Sequence, residues 1–399
     1  MSDSENNEAQ NQLEKELGSP AASHSAKTDS SVADSPELLD LRTQIDACDQ
    51  QIQQLIQQRV QVAANIAKAK LATDKNASFY RPEREAQVLR KVRERNRRLR
   101  EDERGLVSDD EMVRLMREIM STSLAAEMPM SVAYLGPAGT YTHAAVIKHF
   151  GQAVNSLDVK TIGDVFRVVE QGRAHFGVVP VENSTEGVIT HTLDCFTNSD
   201  LKVCGEVQLP ISHQLLSHAD GLTSVEKVYA HPQALAQCRS WLERYLPDAE
   251  VIAANSNAEA ALIAAKQPSV AAIAGEIAAK LYSINILASG IEDEQNNTTR
   301  FLIIGNDSYS ASGEDKTTIM VSTPNKVGSL FELLKPLYDL GVDMSRIESR
   351  PSRQSNWDYV FFIDLNGHVD DPKLGQALTE LEARSAFYKL IGSYPVGAL

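Results

Sequence analysis

Apolar residues recur at positions 38, 41, 45, 48, 52 and 55, and again at 62, 66 and 69. This alternation of three and four predicts one long helix with a coiled-coil-like seam. Position 59, where the series calls for an apolar side chain, is Arg59. Asp74–Ser78 reads as a loop. Pro82, Glu83 and Glu85 predict the start of a second helix, since Pro fits the first turn and carboxylates favour the positive dipole end. It extends to about Glu103, and Gly105 ends it. Ser108, Asp109 and Asp110 open a third helix to about Glu127, with an apolar stripe through Met112, Met116, Ile119 and Met120. Three such helices make a poor monomer, and an intertwined dimer would bury the seam.

After Pro129 the pattern changes. Val132–Leu135 reads as a strand, Gly136-Pro137-Ala138-Gly139 as a turn, and a helix starts near Thr140. Further strand-like runs are Val178–Val181, Val203–Leu209, Val225–Ala230, Val251–Ala254, Val270–Ile273 and Phe301–Ile304. Helical stretches lie between most of them, and Ser256 to Glu259 has capping-box spacing before an Ala-rich helix over 258–266. This alternation predicts largely parallel sheets covered on both faces. Polar Asn306–Lys316 reads as a linker. Beyond it, strand Thr317–Ser322, helix Val327–Leu340, strands Met344–Ser349 and Tyr359–Leu365, helix Lys373–Ala383 and a short strand near Tyr388–Ile391 give a ferredoxin-like βαββαβ order.

The chain has 399 residues, which suggests two or three domains. Residues 1–35 are rich in Ser, Asn, Asp, Glu and Gln and read as a disordered acidic tail. They hold no apolar core of a signal peptide, and no apolar run approaches the ~18 residues that span a bilayer. A cytosolic chain without membrane contact is expected. A formal net charge of −15 weighs against nucleic-acid binding, although a local basic pocket for a small anion is compatible with it. Cys48, Cys195, Cys204 and Cys238 have no CxxC spacing, so buried free thiols are expected rather than a disulfide framework or zinc site.

Arg59 has two readings: an ion pair inside the bundle, or an anion pocket, since Arg binds carboxylates bidentately. Lys70 follows three turns later on the same face, and Ser123 and Glu127 extend the stripe of the third helix. Two cations, a hydroxyl and a carboxyl in an apolar bundle describe a site for a small anion. Between Arg81 and Arg104, ten Arg or Lys stand against six Asp or Glu. Without interleaved aromatics this reads as a solvated face.

Residues 37–128 resemble the all-helical chorismate mutase domain of bacterial bifunctional P-proteins, through Leu41-Arg42, Gln58-Arg59, Lys68-Ala69-Lys70, Arg84-Glu85, Ser123 and position 127. The resemblance implies that Arg42, Arg59 and Arg84 hold the substrate carboxylates, one of them from a partner subunit. Lys70 and Glu127 would bond the ether oxygen, and Glu85 the ring hydroxyl. Two residues depart from the pattern. Arg81 stands where some members have Asp, and Glu127 where Gln is frequent. A carboxylate cannot donate, so Glu127 must be protonated to serve an ether oxygen.

Three polar segments follow: Gly136 to His143, Val179 to Gly187 and Asn296 to Phe301. Singly, each could be turn and cap chemistry. Together they resemble prephenate dehydratase over about 130–306, which implies two lobes of the periplasmic-binding-protein type with the site in their cleft. The resemblance gives Thr299 the role of acting on the leaving hydroxyl, with Glu182, Asn183 and Ser184 as polar support. Thr140 and Thr142 would lie near a carboxylate, and Gln237 would come from the second lobe. Arg300 joins this set as a substrate contact. A Ser found in some relatives is Ala230 here. His143 and His231 suit helix starts better than acid–base roles.

Gly328-Ser329-Leu330-Phe331 and Glu348-Ser349-Arg350-Pro351 resemble the two motifs of the ACT regulatory domain, expected over 316–394. In that family they bind phenylalanine between two such domains. The combined expectation is a homodimeric or larger cytosolic enzyme, without cofactor or metal. It converts chorismate to prephenate and prephenate to phenylpyruvate under phenylalanine control. The rivals are a dehydratase whose mutase domain only dimerises, and a non-catalytic solute or amino-acid sensor.

Overall fold

The computed structural model describes residues 35–74, 79–102, 105–323, 326–351 and 359–397. The expected tail up to residue 34, the loop 75–78 and the second helix's expected end at Glu103 lie outside these. The chain divides into two units, one up to Gln57 and one from Gln58.

Helix α1 spans Pro36–Thr73. In the first unit its Leu38, Leu41, Ile45, Ile52 and Leu55 are exposed. Cys48, expected to be buried, is exposed on this segment, while Cys204 and Cys238 are buried and Cys195 is half-buried.

The second unit begins with the rest of α1 and adds helices α2 (Pro82–Glu101) and α3 (Asp109–Glu127). Leu89 and Val92 of α2 pack on Val113 of α3, with Met112, Met116 and Met120 around them. Ser108 caps α3 by accepting from the Glu111 N–H at 3.2 Å.

An α/β body follows in two lobes. Lobe one holds β1 (Ser131–Leu135), α4 (Tyr141–Phe150), β2 (Asn155–Val159), α5 (Ile162–Glu170), β3 (Phe176–Asn183), β4 (Gly187–Val188), α6 (Thr190–Asn198) and β5 (Lys202–Pro210). Lobe two holds β6 (Gln214–Ser217), β7 (Lys227–Ala230), α7 (Pro232–Gln237), α8 (Arg239–Tyr245), β8 (Glu250–Ala253), α9 (Asn257–Ala264), β9 (Val270–Ala274), α10 (Glu276–Tyr282) and β10 (Ile286–Ser289). The chain then returns to lobe one as β11 (Thr298–Gly305). The sheet orders are β2-β1-β3-β11-β5, with β4 beside β3, and β10-β6-β9-β7-β8.

Both sheets are mixed, not largely parallel as the alternation predicted. Strands β1, β2 and β3 run parallel, but β11 is antiparallel to both β3 and β5. The second sheet repeats this, with β7 parallel to β8 and β9 but β6 antiparallel to β9 and β10. The cause is the double crossing between lobes: a strand that returns from the other lobe inserts between existing strands without a helical crossover. Short β2, β4, β6 and β10 have no clear apolar run, which hid them from pattern reading.

Four strands close the chain: β12 (Asp315–Ser322), β13 (Met344–Pro351), β14 (Tyr359–Asn366) and β15 (Phe387–Pro395), in the order β13-β14-β12-β15. Helices α11 (Ser329–Leu340) and α12 (Pro372–Arg384) cover one face through Ile319, Val321, Leu333, Ile363 and Leu378. The other face sends Met320, Phe362, Ile391 and Tyr394 into the core of lobe one. Strand β15 crosses β5 so closely that a Cβ on Gly392 would stand 2.2 Å from the Val203 carbonyl oxygen, so only glycine fits there.

Candidate active sites and effector domain

In the helical region, Arg59 is half-buried and its Nη1 donates to Ser123 Oγ and, at 3.4 Å, to the Ile119 carbonyl. Ser123 in turn donates to that carbonyl at 2.8 Å. Eleven residues from 59 to 70 make three helical turns, which places Lys70 on the same face. Glu127 lies one turn beyond Ser123 and feels the charges of both Lys70 and Arg59. Burial raises the Glu127 carboxyl above its ordinary range, against the pull of the two cations. Burial likewise lowers Arg59, opposed by Glu127. Lys70 Nζ also stands 5.5 Å over the Phe79 ring.

Four expected residues therefore converge: Arg59, Lys70, Ser123 and Glu127. Glu85 is instead ion-paired with buried Arg117 of α3. Arg84 is exposed beside it, and Arg42 is exposed in the first unit. Arg81 pairs with Glu83 at 2.6 Å. Arg117 had a signal in the sequence, as a charge within the apolar stripe of α3.

The second site lies where the lobes meet. A cavity of about 190 Å3 is lined by residues that include Thr142, Asn183, His213, Gln237, Asn297 and Thr299. Antiparallel pairing sets Thr299 opposite Asn183. The Asn183 Oδ1 accepts from the N–H groups of Thr185 and Glu186, each at 3.0 Å. This fixes the amide, so its Nδ2 donates to Thr299 Oγ1 at 2.8 Å and to Asn297 Oδ1 at 2.7 Å. Because Thr299 Oγ1 accepts that bond, its own proton is left to give elsewhere. Asn297, His213 and Tyr141 had not been singled out as site residues. Asn297 and Tyr141 lie inside two of the polar segments noted in the sequence, but nothing local marks His213.

Several expected members lie elsewhere. Thr140 caps α4, accepting from the His143 N–H at 3.4 Å and donating to the Leu135 carbonyl at 3.2 Å. Ser184 accepts from the Thr298 N–H at 2.9 Å, at the edge of β11. The two histidines read as suiting helix starts are engaged there: His231 caps α7 through a bond from the Gln233 N–H while also lining the cavity, and His143 accepts from the Gly139 N–H while stacked on Tyr134. Glu182 and Arg300 alternate with Asn183 and Thr299 along their strands and so point to the opposite side of the sheet. That side carries the C-terminal domain. Glu182 pairs with Arg346 at 3.0 Å. Half-buried Arg300 bonds Glu206 at 2.7 Å, Asp364 at 2.6 Å and Tyr394 Oη at 3.0 Å. Lys316 also reaches Glu206, at 2.9 Å.

A larger groove, about 1140 Å3, separates α2 and α3 from the lobes. Most of its arginines are matched: Arg90 by Glu314, Arg93 by Asp110, Arg114 by Glu111. It holds neither constellation, so size does not mark the chemistry here. Among the described residues no three His, Cys, Asp or Glu cluster as metal ligands.

In the C-terminal domain, Gly328 adopts φ +80° at the start of α11, with Ser329 and Leu330 following. On edge strand β13, Met344, Arg346, Glu348 and Arg350 are half-buried while Ser345, Ile347, Ser349 and Pro351 are exposed. Arg350 reaches Asp194 of α6 at 3.3 Å.

Comparison with known proteins agrees with these three regions. Residues 41–128 match chorismate mutase type II, 132–309 match prephenate dehydratase, and 317–383 match the ACT domain. A bifunctional chorismate mutase/prephenate dehydratase of Stutzerimonas stutzeri is 46% identical over 372 residues, covering 92% of this chain and 100% of the relative. A namesake from Neisseria gonorrhoeae is 47% identical over 365 residues, covering 91% and 98%. The prephenate dehydratase of Arthrobacter aurescens, solved in complex with L-Phe, superposes with a TM-score of 0.62 at 33% identity, covering 67% of this chain and 90% of its own. The chain belongs to the bifunctional chorismate mutase/prephenate dehydratases, with a helical mutase region, a two-lobed dehydratase and a C-terminal ACT domain.

Proposed function

We propose that the two activities run at two separate sites on this chain, and that the ACT domain senses phenylalanine. At the first, chorismate rearranges to prephenate. The reaction is intramolecular, so the site has to hold a compact conformer and stabilise charge on the breaking ether oxygen. Arg59 takes a substrate carboxylate, while Lys70 and protonated Glu127 donate to the ether oxygen. Arg42, Arg84 and Glu85 complete the site once a second copy covers the exposed stripe of α1; Glu85 must then exchange Arg117 for the ring hydroxyl.

At the second, prephenate loses its ring carboxylate and hydroxyl. The C–C bond to the carboxylate breaks and releases carbon dioxide. Its electron pair aromatises the ring, and the C–O bond breaks. The departing oxygen takes a proton from Thr299 Oγ1, which solvent restores, so each turnover consumes one proton. The bond from Asn183 Nδ2 to Thr299 Oγ1 carries this reading. It aims the hydroxyl proton away from the protein and stabilises charge left on the oxygen. Thr142, Asn183 and Gln237 surround the substrate.

Phenylalanine binds at Gly328 to Leu330 and Glu348 to Pro351, against a second copy of the domain. Its effect reaches the cleft through β3 and β11, where the neighbours of Asn183 and Thr299 are pinned to the ACT sheet by Glu182–Arg346 and Arg300–Asp364. No described helix is long and apolar enough to cross a membrane. Cytosolic chorismate is the substrate source this reading assumes. The test is a time course from chorismate that follows prephenate and phenylpyruvate separately, with and without phenylalanine. Phenylpyruvate formed and then suppressed by phenylalanine supports all three assignments. Prephenate that accumulates unconverted removes the dehydratase, and untouched chorismate removes the mutase.

A further inference from the structure

The chain crosses from lobe one to lobe two at 211–213 and returns at 290–297. The crossings are laced by Ile211 N–H to the Asn297 carbonyl at 2.8 Å and Ile291 N–H to the His213 carbonyl at 3.0 Å. His213 is 2% exposed at this hinge. Its backbone N–H donates to Glu292 Oε2 at 2.8 Å, on the returning crossing. Its Nδ1 is 2.8 Å from Tyr141 Oη, which lies on α4 of lobe one and also stands 2.9 Å from the Ser212 carbonyl oxygen. Its Nε2 is 2.8 Å from Gln237 Oε1, at the end of α7 in lobe two. One imidazole thus holds a side chain from each lobe, and all three line the cavity that contains Thr299.

Gln237 Nε2 is buried and has no hydrogen-bond partner among the described residues. Buried donors without partners are rare, so an acceptor is expected in the cavity beside it. Which end of the amide faces the cavity depends on His213. With the proton on Nε2, the imidazole donates to Gln237 Oε1 and turns the amide N–H groups inward. With the opposite tautomer the amide would flip and present a carbonyl, which repels a carboxylate. Tyr141 Oη has one proton and stands between two acceptors, so the first arrangement is the one in which that proton goes to Nδ1 rather than to the Ser212 carbonyl.

We infer that His213 is a positioning residue of the dehydratase site: from the hinge it fixes Gln237 as a donor to a carboxylate of the substrate and ties that donor to α4 of the opposite lobe. The inference rests on assigning the cleft to prephenate, and it adds a specificity element to that assignment. Burial keeps His213 below its ordinary pKa, which suits a neutral imidazole with one donor and one acceptor.

The experiment measures kcat and KM for prephenate in the full chain carrying His213→Leu, His213→Gln, Gln237→Met, the His213→Leu/Gln237→Met pair, and Thr299→Val. Mutase turnover by the same preparations reports folding. Loss of an oriented donor to a charged group is expected to raise KM roughly 10- to 100-fold in His213→Leu, with kcat falling much less. His213→Gln carries an amide donor to nearly the same point and should return KM to within about 3-fold of wild type. The paired variant should be no worse than Gln237→Met alone, because the histidine acts through that amide. Unchanged KM in His213→Leu, effects that add in the pair, or a kcat loss that His213→Gln does not rescue would each overturn the inference. Thr299→Val keeps its failure distinct from that of the underlying assignment: full turnover there would move the dehydratase chemistry out of this cleft altogether.

Discussion

The helical site and the lobe cleft do related work with different side chains. The helical constellation is charged: burial raises the Glu127 carboxyl against the pull of Lys70 and Arg59, and lowers Arg59 against that of Glu127. Of the other residues expected there, Arg42 and Arg84 are exposed and Glu85 is held by Arg117. The cleft instead presents the uncharged hydroxyls and amides of Thr142, Asn183, Gln237, Asn297 and Thr299. The difference follows the chemistry. A rearrangement without a nucleophile gains most from fixed cations around a developing charge. A step that hands over one proton gains most from a hydroxyl whose lone pair is already engaged, as Asn183 engages Thr299.

The sharpest way to break this comparison is to disable one site and read the other. Thr299→Val should lower dehydratase kcat by about 10^2- to 10^4-fold, the usual weight of general acid catalysis, while mutase turnover stays within about twofold. Arg59→Ala should do the reverse, with mutase kcat/KM falling on the order of 10^2- to 10^3-fold as for loss of one preorganised donor. Parallel loss of both activities in either variant, measured with chorismate and prephenate as separate substrates, would contradict two independent sites.

A smaller effect separates charged from neutral chemistry through pH. Glu127 donates only when protonated, and burial raises its pKa. Mutase kcat/KM should therefore be highest on the acidic side and fall as pH rises through that raised value. Glu127→Gln, a donor at any pH, should flatten the decline. Profiles over about pH 5 to 8 check this. A flat wild-type curve would take Glu127 away from the ether oxygen.

What could be read beforehand divides along the same line. Arg59 announced itself by breaking an apolar series, because a helix repeats regularly enough for one charge to stand out. Lys70, Ser123 and Glu127 followed from the helical period. In the lobes, regularity helps less. The period of two along β11 separates Thr299 from Arg300, and along β3 Asn183 from Glu182, but it does not say which face holds substrate. Arg300 and Glu182 were grouped with the cleft because they share its motifs, whereas the opposite face belongs to the ACT sheet. His213 has no local signal, and it meets Tyr141 of the first polar segment only because the chain crosses between lobes. The mixed sheets escaped notice for the same reason: crossings are long-range events that composition does not mark.

The misplaced pair offers the finest test of the comparison, because among the described residues no ion pair ties the ACT domain to the Arg59 constellation. Arg346 Nε meets Glu182 Oε2 at 3.0 Å, and Glu182 adjoins the residue that orients Thr299. Glu182 is 38% exposed at its side chain, so the pair adds little to stability. Its consequence lies in coupling. Arg346→Ala should leave basal dehydratase and mutase rates near wild type and weaken phenylalanine inhibition of the dehydratase by roughly 5-fold, the low end of ordinary allosteric coupling. The measurement is the phenylalanine concentration for half-inhibition at fixed prephenate, beside direct binding of phenylalanine by calorimetry. Linkage is reciprocal, so a true coupling variant must also reduce the effect of bound prephenate on phenylalanine affinity. If inhibition weakens only because phenylalanine no longer binds, Arg346 belongs to the effector site itself. If neither quantity moves, the buried Arg300–Asp364 contact is left as the path from effector to cleft.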